Sequence, residues 1–124
     1  MAAPRIDDHL HDAVVEQFCF DAERGRLTLV LWEKPEPLWQ TNEVVRKRLV
    51  LSGIRNGAAV AAVQQLVEAA WRRTPDRELG YRVDRFDFDP ALPSRPLDLH
   101  LRLAIDHLPP LRIHCAKFTM QPVE

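Results

Sequence analysis

Two histidines near the C-terminal end of the chain have the residue type and spacing that could support chemistry. His100 and His114 lie in two segments that alternate apolar and polar residues, and a short turn containing two prolines separates the segments. Such a turn predicts a hairpin, which would bring both imidazoles and Arg102 to the polar face of a sheet. Imidazole titrates near neutral pH, so this face could supply a general acid or base, or bind a small ligand. A simple cross-strand contact between two half-exposed histidines explains the same pattern without any function.

A second group of potential ligands lies near the N-terminus, in the segment DDHLHD from Asp7 to Asp12. Imidazole and carboxylate groups bind transition metals, and His9 and His11 would share one side of an extended chain. The segment is polar, however, and two histidines without a fixed third ligand bind a metal weakly. We therefore predict no metal site and no cofactor, and we expect residues 1–12 to form a flexible N-terminal segment.

No other motif in the chain indicates a reaction. Neither Ser52 nor Ser94 lies in the Gly-x-Ser-x-Gly pattern of a nucleophile elbow, and the four glycines are isolated instead of forming a phosphate-binding loop. Cys19 and Cys115 are far apart and lie in apolar, strand-like runs. That context favours two buried free thiols over a disulfide or a zinc site. We predict no catalytic residues.

The elements that must position these residues are mostly strands. Ala13 to Phe20 is rich in β-branched and aromatic residues, and Arg26 to Glu33 alternates apolar and polar residues. The polar turn between them contains Gly25, so the two segments predict a β-hairpin. A third strand is predicted from Val44 to Ile54.

One amphipathic helix is predicted in the middle of the chain, from Ala58 to Thr74. Its apolar residues recur at spacings of three or four: Val60, Val63, Val67 and Trp71. Asn56 is expected to cap the N-terminus of the helix, and Pro75 ends it. This stripe of apolar residues must pack against a sheet.

Three further strands are predicted after the helix. Leu79 to Asp89 changes the parity of its apolar residues, which indicates a bulge near Asp84. Leu97 to Asp106 alternates strictly, and Leu111 to Met120 completes a second hairpin. The chain is thus predicted to be an α+β single domain over residues 1–124. Its mostly antiparallel sheet of about six strands has the order β-β-β-α-β-β-β, with the helix packed on one face.

Composition excludes several classes of protein. The chain has 124 residues, 46% of them hydrophobic, which is ordinary for a globular domain. Its apolar runs are far shorter than the roughly 20 residues that a membrane span needs. The polar N-terminus lacks the apolar core of a signal peptide, so we expect a cytoplasmic protein with no membrane partner.

Charge and loop aromatics suggest where a partner would bind. The net charge is −1, but Arg46 to Arg85 carries nine basic and four acidic residues. This basic region is a weak indication of an acidic partner such as nucleic acid, which the overall charge does not favour. Trp39 lies in a proline-flanked loop and is a candidate anchor for an interface. The candidate binding residues are Trp39, Arg46, Arg48, His100, Arg102 and His114.

Several short segments resemble small bacterial proteins of the immunity-protein type and related families. They are the opening His11-Asp12-Ala13 before a strand, the run LTLVL from Leu27, the run LVLSGI from Leu49 and the closing LRIHCAKF from Leu111. The predicted helix departs from the all-strand middle of those proteins. The resemblance implies a non-enzymatic protein that neutralises a partner toxin by binding it.

These observations favour a non-catalytic protein-binding module of the toxin-neutralising type over an enzyme. The first alternative is a small-ligand-binding protein or small enzyme that uses the face carrying His100 and His114. The second is nucleic-acid binding by the basic region from residue 46 to residue 85. A homodimer formed through an edge strand is a further expectation.

Overall fold

The computed structural model describes Leu10 and residues 12–33, 45–74 and 80–123. The elements are β1 (Val14–Asp21), β2 (Arg26–Glu33), β3 (Val45–Ser52), α1 (Gly57–Arg73), β4 (Val83–Phe88), β5 (Leu99–Ile105), β6 (Leu111–Cys115) and β7 (Lys117–Val123). Trp39, His9 and His11 lie outside the described residues, as does most of the predicted flexible segment. Leu10 is described and is buried in the core.

The strands form two sheets, and every pair of neighbouring strands within them is antiparallel. One sheet has four strands in the order β1-β2-β3-β7, and the other has three in the order β4-β5-β6. The predicted α+β fold with mostly antiparallel strands and one helix is confirmed. The prediction of one sheet of about six strands is wrong, because the described residues form seven strands that are divided between two sheets. The expected irregularity in β4 is present between Val83 and Arg85.

The two sheets separate at Ala116, in the middle of the segment predicted as the last strand. The residues before it pair with β5 and those after it pair with β3. The amide of Ala116 donates to the carbonyl oxygen of Ser52 at 3.0 Å, beside Gly53 at φ +69°. A Cβ on Gly53 would lie 2.6 Å from the Cβ of Ala116. The chain therefore passes from one sheet to the other at Ala116, and the neighbouring position 53 accepts only glycine.

The inward faces of both sheets and one face of the helix share a single apolar core. The most deeply buried side chains come from both sheets and from α1: Phe18, Leu27, Leu29, Leu31, Leu49, Leu51, Val60, Val83, Leu99, Leu101, Leu103 and Ile113. The sheets therefore cover much of each other's apolar faces, which the helix alone was predicted to do. Instead α1 contacts β1 and β6, and each of these strands forms an edge of its sheet.

The helix follows the predicted periodicity closely. Val60, Val63 and Val67 are buried as expected. The last buried residue of the stripe is Ala70, whereas Trp71, which was predicted there, is half-buried. Asn56 makes no side-chain capping hydrogen bond, so the predicted cap is wrong. The side-chain amide of Asn56 instead forms hydrogen bonds with the backbone of β6. In the described part of the chain, no helix is long and apolar enough to span a membrane.

The two cysteines differ in environment. Cys115 is fully buried among the core residues, as predicted, and burial raises the pKa of its thiol to about 11. Cys19 was also expected to be buried but is exposed. The reason is the alternation of β1, in which the neighbouring Phe18 points into the core and Cys19 therefore points outward.

Candidate functional site

The outward face of the three-stranded sheet carries the predicted histidines. Along β5, every second residue from Leu99 to Ile105 is buried, and His100 and Arg102 alternate with them on the outer face. Cross-strand pairing places His100 opposite His114 and Arg102 opposite Arg112. The predicted hairpin is therefore confirmed with the register that brings both imidazoles together.

The two imidazole rings converge on one carboxylate. Their centroids are 4.2 Å apart and their planes differ by 19°, so the rings are stacked. Nε2 of His114 lies 2.6 Å from Oδ1 of Asp98, and Nε2 of His100 lies 4.0 Å from the same oxygen. One potential ligand atom from each of Asp98, His100 and His114 lies within 4.8 Å of the other two. We call these three residues the histidine cluster.

A tight turn fixes the position of Asp98. The backbone amide of Arg95 donates to the carbonyl oxygen of Asp98 at 3.0 Å. In return, the backbone amide of Asp98 donates to the carbonyl oxygen of Arg95 at 2.9 Å. Pro96 and Leu97 form the corner, and Leu97 has φ +66°. A non-glycine residue in this region costs about 1–2 kcal/mol. The turn holds the carboxylate beside the histidines at the expense of local backbone strain.

Arg55 and Asn56 support the cluster from the segment before α1. Arg55 donates from Nη1 to Oδ1 of Asp98 at 3.2 Å and from Nη2 to the carbonyl oxygen of Leu97 at 3.1 Å. The side-chain oxygen of Asn56 accepts from the amide of His114 at 2.9 Å, and its Nδ2 donates to the carbonyl oxygen of Arg112 at 2.6 Å. Both the carboxylate and one histidine backbone are thereby held by a separate part of the chain.

These contacts lower the pKa of the Asp98 carboxyl below its usual value. The largest cause is the hydrogen bond with His114, and partial burial acts in the opposite direction. The charges of His114, His100 and Arg55 lower the pKa further. The carboxylate is therefore ionised at neutral pH and can accept hydrogen bonds or bind a cation.

The rest of the polar outer face is organised in ion pairs. Arg102 donates from Nε and Nη2 to the two carboxylate oxygens of Asp87 at 2.8 and 2.7 Å, and this raises the pKa of the guanidinium. Asp89 is buried, and its Oδ2 lies 3.7 Å from Nε of Arg112. Within the described residues, this oxygen is the buried side-chain atom that lacks a hydrogen-bond partner.

The hydroxyl of Ser94 lies beside His100 and is hydrogen-bonded to the backbone of His100. Its hydroxyl accepts from the amide of His100 at 2.9 Å and donates to the carbonyl oxygen of His100 at 3.4 Å. A hydroxyl used in this way fixes the start of β5 and is not positioned as a nucleophile activated by an imidazole. The cluster is better suited to binding a cation or transferring a proton than to covalent catalysis.

The structure divides the predicted binding residues between two surfaces. His100, His114 and Arg102 share the polar outer face. Arg46 and Arg48 are exposed on the outward face of the four-stranded sheet, where Nε of Arg46 lies 3.1 Å from a carboxylate oxygen of Glu16. Trp39 lies outside the described residues.

Two residues of the site were missed by the sequence analysis. Asp98 is two residues before His100, so the strict alternation of that segment already placed its side chain on the same side. Arg55 had no comparable signal, because it reaches Asp98 across 43 positions of sequence. Only the path of the chain between β3 and α1 brings its guanidinium to the cluster.

Comparisons with protein-family models, with curated proteins and with solved structures return no match for this chain.

Proposed function

We propose that this protein binds a ligand without changing it chemically, and that the ligand is held at the histidine cluster on the polar outer face. The observation that carries this proposal is the convergence of two imidazoles and one carboxylate within 4.8 Å. The three side chains are partly accessible, with exposed fractions of 21% for His100, 32% for His114 and 41% for Asp98. They can therefore meet a ligand from solvent.

The construction of the cluster supports binding more than catalysis. His100 and His114 are held on paired strands, and Asp98 is held by a hydrogen-bonded turn and by Arg55. Binding is favoured when the ligating groups are ordered before the ligand arrives, since less conformational entropy is lost. The neighbouring hydroxyl of Ser94 is already engaged by backbone groups.

The toxin-neutralising interpretation stays a prediction, and so does nucleic-acid binding through the basic region. For the latter, the described basic residues do not form one continuous surface of unpaired charge. Arg46 pairs with Glu16 and Arg55 pairs with Asp98, while Arg72 and Arg73 are exposed at the end of α1. Nucleic-acid binding through paired arginines would first require those ion pairs to break.

NMR spectra of the histidine rings test the proposal directly, because the chain has only five histidines. We would titrate the protein separately with inorganic phosphate, citrate, ZnCl2 and MgCl2 and follow each ring. At least one probe is expected to shift the signals of His100 and His114 at concentrations that leave His107 unchanged. His107 is an internal control because it is exposed in the turn between β5 and β6, outside the histidine cluster.

The variants His100→Ala and His114→Ala should abolish that response, and His107→Asn should retain it. Asparagine suits the control position because His107 has φ +67°, which asparagine tolerates. If every probe leaves His100 and His114 unchanged, or shifts all five histidines equally, the proposed binding function is wrong.

A further inference from the structure

We infer that the ligand of the histidine cluster is a divalent first-row transition metal, bound by Asp98, His100 and His114. This inference rests on the proposed function and specifies its ligand. Two imidazole nitrogens and one carboxylate oxygen form a donor set that suits zinc and its neighbours in the periodic table. Magnesium and calcium prefer sets made of oxygen atoms alone, so the cluster should discriminate against them.

The distances between the donor atoms are close to those of a loaded site. Tetrahedral zinc with bonds near 2.0–2.1 Å places neighbouring ligand atoms about 3.3 Å apart. Here Oδ1 of Asp98 lies 2.6 Å from Nε2 of His114 and 4.0 Å from Nε2 of His100. Adjustments of less than about 1 Å would equalise these two distances. The side chains at the protein surface can make such movements without disturbing the core.

Loading requires one ring to turn. Stacked rings with planes only 19° apart hold their nitrogen lone pairs in two nearly parallel planes, whereas a metal bound by both nitrogens must lie close to both planes. His100 is the ring that must move, because its Nε2 is the farther of the two from the carboxylate. Its backbone is fixed on both sides, since its amide donates to Ser94 and its carbonyl oxygen accepts from Asp89. Rotation is thereby limited to the side chain.

Arg55 opposes the metal. Its guanidinium donates to Oδ1 of Asp98 at 3.2 Å, the same oxygen that lies nearest both imidazoles. A metal ion at that oxygen must displace this hydrogen bond and sit close to a positive charge. Removal of Arg55 should consequently raise the metal affinity, although it removes a contact from the metal-free protein.

Three protein ligands leave at least one coordination position open. In zinc proteins, closed four-ligand sites serve structure, whereas sites with three protein ligands retain a position for water or another molecule. Because the cluster lies at the surface, that position would face solvent. The metal would therefore be accessible to a further small ligand.

Isothermal titration of the full chain with ZnCl2, after treatment with a chelator, tests the inference. We expect one zinc ion per chain at the cluster and no measurable heat with MgCl2 at the same concentration. Titration with Co2+ adds a spectroscopic readout, because its visible absorption reports nitrogen coordination and coordination number. Binding should shift the ring signals of His100 and His114 together.

Three variants remove the proposed ligands one at a time: Asp98→Asn, His100→Ala and His114→Ala. Each should weaken zinc binding by more than about 100-fold, because even an outer-sphere partner is worth about 10- to 100-fold. Asp98→Asn is the most informative, since the amide is nearly the same size as the carboxylate and preserves the fold. Arg55→Gln should strengthen binding several-fold, a result that a loss of folding cannot produce.

Two controls address adventitious binding. The double variant His9→Ala/His11→Ala removes the two histidines that are close together in the sequence, and His107→Asn removes the one other histidine outside the cluster. Both should bind zinc at the cluster as the wild-type protein does. The inference is overturned if the wild-type protein does not bind zinc. It is also overturned if the double variant loses binding or if Asp98→Asn retains it.

The two proposals can fail separately. If zinc does not bind but phosphate or citrate shifts the signals of His100 and His114, the metal inference is wrong and the binding function stands. If no probe shifts those signals, both are wrong.

Discussion

The outward faces of the two sheets carry different kinds of side chain. On the four-stranded sheet, Val30 points outward yet is only 7% exposed, and it lies opposite Arg48. On the three-stranded sheet, the outward face carries His100, His114, Arg102 and Asp87, and its closest polar contacts, from His114 to Asp98 and from Arg102 to Asp87, are 2.6 and 2.7 Å long. The first face is a mixed surface of long side chains over apolar ones, whereas the second is an ordered polar network.

The difference shows that exposure and organisation are separate properties. Arg46 and Arg102 are both outward arginines that pair with a carboxylate, but only Arg102 makes two short, parallel hydrogen bonds to its partner. A bidentate pair fixes the orientation of both groups. In the other pair, one N–H of Arg46 is shared between the two oxygens of Glu16 at 3.4 and 3.1 Å, which fixes the orientation less well. The organised face is therefore the better candidate for recognition.

The largest effect is expected where the chain passes between the sheets. Gly53→Ala would place a Cβ 2.6 Å from Ala116 and force a side chain into positive φ. Strain and overpacking together should lower the free energy of unfolding by about 3 kcal/mol. Denaturant unfolding monitored by tryptophan fluorescence would measure the change.

A matched glycine separates the two causes. Gly80 has φ +67°, and no heavy atom of the described residues lies within 4 Å of an added Cβ, so Gly80→Ala should cost only the backbone strain, about 1 kcal/mol. Ala116→Gly in the Gly53→Ala background should recover the part due to the clash. Equal losses from the two alanine substitutions would contradict the proposed close approach at the junction.

The two thiols should differ strongly in reactivity. Burial raises the pKa of Cys115 to about 11, which leaves very little thiolate at pH 8, while Cys19 is exposed on the four-stranded sheet. Cys19 should react with a disulfide reagent at least about 100-fold faster than Cys115 in the folded protein. Mass spectrometry of peptides from a timed reaction would assign each rate, and in denaturant the two rates should become similar.

Asn56→Ala should destabilise the region that supports the histidine cluster. It leaves the carbonyl group of Arg112 and the amide of His114 without their partner, at a cost of about 2 kcal/mol. Asn56→Asp keeps the acceptor for His114 but loses the donor for Arg112, so its free energy of unfolding should lie between those of Asn56→Ala and wild type. Hydrogen exchange should accelerate at His114 in Asn56→Ala only. No acceleration there would mean that water replaces the side chain without cost.

A smaller effect on stability is expected from breaking the arginine–carboxylate ion pairs on the two outward faces. Arg102→Ala breaks the bidentate contact with Asp87, and Arg46→Ala breaks an exposed contact with Glu16. Thermal unfolding should show a drop of a few degrees in the midpoint for Arg102→Ala and little change for Arg46→Ala. High salt should reduce the difference. Equal midpoints would remove the distinction between the faces.

The smallest expected effect is the pH dependence of Asp98. Its pKa in the folded protein is lowered, chiefly by the hydrogen bond with His114. The resulting stability is fully present above the pKa of the unfolded chain, near 4, and is lost as the pH falls through the lower folded value. With a chelator present, Asp98→Asn should unfold at a lower temperature than wild type at pH 6. The two midpoints should converge as the pH falls through the lowered pKa of the folded protein.

Much of the fold was accessible from the sequence because alternation and turn residues determine strands locally. The division into two sheets was harder to see, although one signal exists. Leu111, Ile113 and Cys115 point inward, whereas Phe118 and Met120 do so in the next strand, so the inward parity changes at residue 116. A single regular strand cannot bury both sets on one face.

The candidate site was predictable only in part. His100 and His114 could be paired because a hairpin has local register, and Asp98 shares the parity of His100. The contacts from Arg55 and Asn56 depend on where the helix segment lies against β6, which no local pattern specifies. Asn56 was interpreted as a helix cap because its position suits one, but the two open hydrogen-bonding groups of β6 bind its side chain instead.

The same amide group has a consequence for self-association. Asn56 occupies backbone groups of β6, and Gln64 of α1 accepts a hydrogen bond from the amide of Phe20 in β1 at 3.0 Å. These side chains come from the helix and the residue before it, and each binds part of the free edge of one strand. A partial opening that releases α1 would free these backbone groups in both sheets at once, and unpaired groups on a strand edge pair readily with other chains. Conditions that loosen the helix should therefore favour aggregates over a reversibly unfolded monomer.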